Sequence, residues 1–188
     1  MKFYTGVGSR ETPEEILGLM ADIGEKLAND GWILRSGAAQ GADQAFELGW
    51  IRHVASCRGD FTPAEIYLPW EGFEKHGRDG CFGCNILPDL DSPETYAKAQ
   101  IIAQATHPAW DKCSNGAKTL HTRNVYQVLG RNLDSPSRML VAWTPLTRAG
   151  QPKGGTATAI KLAEKNGADC FNLNKQEDFD RIMKYLRS

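Results

Sequence analysis

Met139-Leu140-Val141-Ala142-Trp143 is an unbroken apolar run, and Gly154-Gly155-Thr156-Ala157-Thr158-Ala159-Ile160 follows it along the chain. The run, begun at Arg138, reads as a buried strand, and the glycine-rich segment opens a helical pattern that ends near Asn166-Gly167. Strand, turn and helix in that order form one unit of a parallel α/β sheet. The same turn suits an anion. Glycines let backbone approach closely, the first helical N–H groups point outward, and the hydroxyls of Thr156 and Thr158 add donors.

Working outward, the same unit recurs. Lys2 to Thr5 predicts a short strand that ends in Gly6-Val7-Gly8-Ser9-Arg10. Thr12-Pro13-Glu14-Glu15 then announces a helix, with Thr12 as cap and Glu15 completing a capping box. Trp32-Ile33-Leu34 is a second strand, followed by the turn Ser36-Gly37-Ala38-Ala39-Gln40-Gly41-Ala42-Asp43 and a helix to about Val54. Glu65 to Leu68 and Cys170 to Leu173 complete a set of five strands. Helices are expected from Ser92 to before Pro108, from Thr119 to Gly130, and from Gln176 to Leu186. Apolar strands alternating with helices indicate a doubly wound, mostly parallel, Rossmann-like α/β sheet covered on both faces. In such sheets ligands bind at the carboxyl ends of the strands, near the point where strand order reverses. All three glycine-rich turns follow strands, so all three should share that edge, and the expected ligand carries phosphate.

One stretch breaks the pattern. Residues from about 70 to 91 hold many glycines and few periodic apolar positions, so an irregular insertion in a single domain spanning 1–188 is expected there. It would serve as a lid or a dimer contact, and a homo-oligomer is the expected assembly. Trp70, Phe73, Phe82 and Trp110 flank or lie in it, and read as anchors for the loop or as stacking surfaces for a base. Cys81-Phe82-Gly83-Cys84 places two thiols at metal-ligand spacing. Zinc held by Cys81 and Cys84 would need completion by His76, Cys57, Cys113 or His107. Plain thiols, with no cofactor, is the competing reading.

The composition is ordinary. Hydrophobic residues make up 41% and charged residues 24%, as in globular domains. A net charge of −1 argues against a broad basic surface for nucleic acid and leaves room for a local basic groove. Met1 to Gly6 is too short an apolar run for a signal peptide, and no stretch has the length of a membrane span. Five cysteines, an odd number, read as reduced thiols in a cytoplasmic protein without membrane partners.

Site residues follow from the turns. Gly6, Gly8, Ser9 and Arg10 can present N–H groups, a hydroxyl and a guanidinium to one phosphate. Ser36, Gly37, Gly41 and Asp43 form the second turn, where Asp43 either caps the helix or meets a ribose hydroxyl or a base. Gly154, Gly155, Thr156 and Thr158 form the third. Arg123 and Asn124, with His121, are expected at the start of a helix and near the same edge.

These motifs carry a resemblance. Ser36 to Asp43 resembles the Ser-Gly-x-Ala-x-Gly-Ile/Ala-Asp signature of the DprA/Smf family. Gly154 to Ala159 resembles the second turn of the wider SLOG superfamily, which includes DprA, the LOG-type cytokinin-activating proteins and the YpsA-like proteins. Arg123-Asn124 is similar to a pair in DprA-like proteins, and His121 to Leu129 resembles uncharacterised phage-encoded relatives. The resemblance spans about residues 1–56 and 117–173. It implies a Rossmann-like fold that binds a nucleotide, a nucleotide-derived signal or single-stranded DNA. LOG-type relatives hydrolyse nucleoside monophosphates and use a glutamate in Pro-Gly-Gly-x-Gly-Thr-x-x-Glu. Here Lys153 replaces the proline, Ala157 replaces the third glycine, and Ile160 or Lys161 stands where the glutamate belongs. A binding protein is therefore the expectation. A DprA-like mediator on single-stranded DNA and a phosphoribohydrolase are the alternatives, with Asp43 the best catalytic candidate for the latter.

Overall fold

Six parallel strands make one sheet in the computed structural model, which describes residues 1–77 and 84–187. They are β1 (Lys2–Gly8), β2 (Trp32–Ser36), β3 (Ala64–Tyr67), β4 (Asn85–Ile86), β5 (Met139–Trp143) and β6 (Asp169–Asn172). The helices are α1 (Glu14–Asn29), α2 (Ala42–Ser56), α3 (Pro88–Asp91), α4 (Pro93–Thr106), α5 (Asn115–Leu129), α6 (Gly154–Lys165) and α7 (Gln176–Leu186). Strand order is β4-β3-β2-β1-β5-β6, so the chain builds outward from β1 in one direction and then returns to build from β5 in the other.

Side-chain alternation along the strands sends apolar groups to both faces. Met139 and Val141 join Tyr4, Leu34 and Ile66 in a core with Met20, Ile23 and Leu27 of α1, Phe46 and Trp50 of α2, and Ile182 of α7. Leu140 and Ala142 face the other way, into a second core with Val125 and Val128 of α5, Ala99 and Ala103 of α4, and Ala159 and Ala163 of α6. This is the doubly wound, Rossmann-like α/β fold that the sequence predicts. None of the described helices is long and apolar enough to cross a membrane.

The structure corrects several local expectations. β1 continues to Gly8, so Gly6 and Gly8 are strand residues. A Cβ at Gly6 would meet the Phe46 ring at 2.6 Å, and one at Gly8 would lie 2.4 Å from Ala42 Cβ. Both glycines let α2 pack down on β1. Thr12 does not cap α1. Its hydroxyl donates to Ser9 O at 2.6 Å, and the helix starts after Pro13 with no side-chain cap. α5 begins at Asn115, because Ser114 accepts from Ala117 N–H at 3.3 Å, which moves His121, Arg123 and Asn124 from the helix start to its middle.

The described residues of the 70–91 stretch include regular elements that its composition does not suggest. β4 pairs parallel to β3, with Ile66 opposite Asn85 and Tyr67 opposite Ile86, and supplies a sixth strand that the sequence reading lacks. Phe73, Cys84 and Leu87 are buried in the larger core. Trp70 packs edge-on against Phe73, with ring centroids 5.1 Å apart, and so acts as an anchor. Cys81 and Phe82 lie outside the described residues.

Candidate functional site

Strand order reverses between β1 and β5, which stay paired as far as Gly8 and Trp143. Beyond their carboxyl ends lies a cavity of about 490 Å³. Four segments wall it. Gly8 to Glu11 leave β1, Thr144 and Pro145 leave β5, Lys153 to Thr156 begin α6, and α5 contributes His121, Arg123, Asn124 and Gln127. Ala39 closes it from the turn after β2, and Asp43 from the first turn of α2.

The α6 N-terminus faces the cavity. Lys153 makes no side-chain cap bond, so the first N–H groups of the helix have no side chain covering them. Gly154 holds φ +69, and nothing stands within 4 Å of the place its Cβ would take. A bulkier residue would be strained there and would fill the cavity mouth. The turn is braced from behind, since Thr144 Oγ1 donates to Lys153 O at 2.8 Å and Lys153 N–H donates to Pro145 O at 3.0 Å. Asn172 Oδ1 in turn accepts from Thr144 N–H at 3.1 Å. Partial positive charge at the helix N-terminus therefore points at open space held in a fixed shape.

A buried ion pair forms the cavity floor. Arg123 Nη1 donates to Asp43 Oδ2 at 3.1 Å, with both residues almost fully buried. Gly37 makes this possible, because a Cβ at that position would sit 1.1 Å from Arg123 Nη1. The Gln127 amide completes the group. With its oxygen toward Gly37 it accepts from Gly37 N–H at 2.9 Å and Arg123 Nη1 at 3.2 Å, and it donates to Asn124 Oδ1 at 2.9 Å. The opposite orientation offers one bond, to Asp43 at 3.4 Å, so the first satisfies the site better. Burial raises the Asp43 carboxyl above its usual range, against the pull of Arg123 beside it. Arg123 Nε is buried without a partner. An unmet donor costs free energy unless something accepts from it, so the guanidinium has capacity for a ligand.

The sequence-predicted residues divide cleanly. Gly8, Ser9, Arg10, Asp43, Arg123, Asn124, Gly154, Gly155 and Thr156 all line the cavity. Gly6, Ser36, Gly37, Gly41 and Thr158 do not. Ser36 is fully buried, and its hydroxyl donates to Gly6 O at 2.7 Å. Gly41, at φ +93, presses against Ser9 O and supports the turn that carries Arg10. Gln127 and Thr144 are wall residues that the motif reading missed. Neither belongs to a glycine-rich turn, and only the folded arrangement brings them to the edge.

Side chains of the 70–77 segment reach the rim. Arg10 is largely exposed and lies 3.7 Å from Glu74. His76 Nε2 stands 3.0 Å from both oxygens of Glu47, one helical turn after Asp43 on α2. Burial raises the Glu47 carboxyl as well, opposed by His76. Phe73 places its ring 5.9 Å from the Arg123 guanidinium.

His121 is held neutral. Burial, then His107 and Arg123, push its pKa down to about 4. Its Nδ1 is buried with no hydrogen-bond partner, and no carboxylate orients the ring for general-base work. Of the residues considered for zinc, Cys81 lies outside the described residues, and Cys84, Cys57 and His76 stand in separate surroundings. Cys84 is buried in the main core, Cys57 lies beside His53, and His76 is engaged by Glu47. Among the described residues, the grouping of His, Cys, Asp or Glu tight enough for a metal is His107, Cys113 and His121.

No protein-family model, no curated protein and no solved structure matches this chain. The fold defines it as a Rossmann-like α/β protein with a cavity at the switch point.

Proposed function

We propose that this protein binds a nucleotide, or a signal derived from one, in the cavity between β1 and β5, and that it acts by binding rather than by rapid catalysis. The observation that carries the reading is the α6 N-terminus, which lines the same cavity as Arg10 and the buried Arg123. A phosphate set against the N–H groups of Gly154 to Thr156 would meet the helix dipole and a guanidinium together. Asn124 and the apolar side of Leu120 and Ala117 supply a mixed wall of the kind a sugar or a base requires. Membership of the SLOG superfamily is part of the proposal, supported by the Ser36–Asp43 and Gly154–Ala159 turns.

Asp43 is a poor catalyst in this arrangement. Its carboxylate is tied to Arg123 and nearly closed to solvent, so it is not free to take a proton or steady a developing cation. The other carboxylate on the cavity lining is the exposed Glu11.

Mass spectrometry of small molecules released on denaturation would name the ligand, and calorimetry with that compound would quantify it. Arg10→Ala should weaken binding by about 1.5–3 kcal/mol, the range for a charge-assisted bond. Unchanged affinity removes Arg10 from the site. A salt titration separates a small molecule from DNA. Binding that falls steeply with salt, by several counterions, would replace this reading with single-stranded DNA binding.

A further inference from the structure

We propose that His107, Cys113 and His121 form a site for zinc or a similar borderline divalent metal, with three protein ligands and a fourth position open to solvent or to a ligand in the adjoining cavity. The three side chains come from the α4–α5 hairpin. His107 caps the end of α4, Cys113 ends a short 3-10 turn, and His121 lies in the second turn of α5. One potential ligand atom from each lies within 4.8 Å of the other two. Cys113 Sγ stands 3.8 Å from His107 Nδ1, and the two imidazole rings have centroids 4.2 Å apart. A tetrahedral metal with nitrogen at about 2.0–2.1 Å and sulfur at about 2.3 Å sets its ligands roughly 3.3–3.6 Å from one another. Small side-chain rotations close the difference.

The donor set has a definite chemistry. Two imidazoles and a thiolate favour zinc, cobalt, nickel or copper, and disfavour magnesium and calcium, which take oxygen. Three protein ligands leave one position vacant, as in metal sites that meet substrate or water. The surroundings support capture. His121 Nδ1 is a buried nitrogen with no partner, which a metal would satisfy. The connecting turn is already ordered, with Cys113 N–H donating to Trp110 O at 3.0 Å and the Lys118 ammonium 5.7 Å from the Trp110 ring. Binding would release the thiol proton of Cys113 and displace the exposed 3.2 Å bond from Ala109 N–H to His107 Nδ1.

The position gives the site a consequence. His121 lines the cavity, and its Cε1 lies 3.7 Å from where a Cβ on Gly155 would stand. A metal here would sit beside the α6 turn and add positive charge to the same anion-adapted wall. The metal claim stands whether or not the ligand is a nucleotide.

Cobalt(II) is the probe. Protein freed of its purification tag and stripped with a chelator would be titrated with cobalt(II) alone. One equivalent should produce a near-ultraviolet thiolate-to-cobalt charge-transfer band, and zinc should abolish it by competition. Cys113→Ser should lose the band while keeping the native circular dichroism, and His107→Gln should shift or weaken it. Cys57→Ser and Cys81→Ser should leave it intact. No band in the unsubstituted protein overturns the proposal. So does a band that survives in Cys113→Ser, or one that disappears in Cys81→Ser, which would place the metal on Cys81 and Cys84.

Discussion

Replacing Gly37 by Ala should break a contact between residues far apart in the chain. The new Cβ would lie 1.1 Å from Arg123 Nη1, 2.3 Å from Cζ and 2.6 Å from the Gln127 amide. Ordinary contact begins near 3.4 Å, so the guanidinium must withdraw by about 2 Å. Its 3.1 Å bond to Asp43 cannot survive that displacement. Asp43, only 3% exposed, is then left as a buried carboxylate without its cation. Removing one partner of such a pair costs about 3–5 kcal/mol. Gly37 is absent from the residues with positive φ, so the substitution adds no backbone strain, and the stiffer unfolded chain returns about 0.4–1 kcal/mol. A net loss of roughly 2–4 kcal/mol is expected, a large fraction of typical stability.

Urea unfolding followed by tryptophan fluorescence would measure it, with the fully buried Trp50 as a reporter. The decisive measurement is a cycle with Arg123→Met. Once the guanidinium is gone, the remaining close contact of a methyl group at position 37 is the end of the flexible Gln127 side chain at 2.6 Å, and its further cost should fall well below the cost in the parent. Acid supplies a second check. Burial already raises the Asp43 pKa in the parent, where Arg123 pulls against it, and loss of that cation should raise it further in the variant. The Gly37→Ala deficit should therefore be full above the variant's folded pKa, shrink as pH falls through it, and level off below the parent's folded pKa. Two single-mutant costs that add within about 0.5 kcal/mol would refute the steric argument. So would a Gly37→Ala cost below about 1 kcal/mol, less than the loss of one buried partner allows.

Gly49→Ala should destabilise by about 1–3 kcal/mol or more, because a Cβ there would lie 2.1 Å from Ala21 O and must push α2 away from α1, and a urea midpoint unchanged from the parent would contradict this. Burial, with Glu164, Asp169 and Asp178 nearby, pushes the Cys170 thiol up to about 12, so it should be alkylated after Cys57 and Cys113 when native protein meets iodoacetamide at mildly alkaline pH, as peptide mapping by mass spectrometry would show. Nucleoside monophosphates should not be hydrolysed at about 1 per second or faster, since Ile160 is buried and Lys161 is exposed away from the cavity. Chromatographic turnover that disappears in Asp43→Asn would overturn the binding-protein reading.

How much of this was legible in the sequence depended on how local each signal is. The β5 run and the Gly154 turn are contiguous, and the layered sheet follows from repeating that unit. β4 is only Asn85–Ile86, too short to show alternation, and its strand character exists only against Ile66 and Tyr67 of β3. The start of α5 was obscured by Asn115-Gly116, which reads as a break, while the residue that decides it, Ser114, acts through one hydrogen bond. Gly6 and Gly8 show the opposite failure. Their spacing reads as a turn, but the demand for glycine comes from Phe46 and Ala42 of α2 lying against the strand.

The candidate site was legible where it is made of backbone and hidden where it is made of side chains from different elements. Glycine turns announce themselves, so Gly154, Gly155 and the Ser9–Arg10 turn, which line the cavity, stand out in the sequence. Arg123 stands out in the sequence, yet the reason it lies at the cavity floor is Gly37, directly after β2. A glycine that reads as a phosphate-turn residue is occupied in the fold by a guanidinium. That substitution of roles changes what the second turn contributes: it holds Arg123 in place instead of approaching the ligand itself. Binding strength at this site should then depend on Gly37 and Asp43 through the position of Arg123, although Gly37 does not line the cavity and Asp43 is turned to its partner.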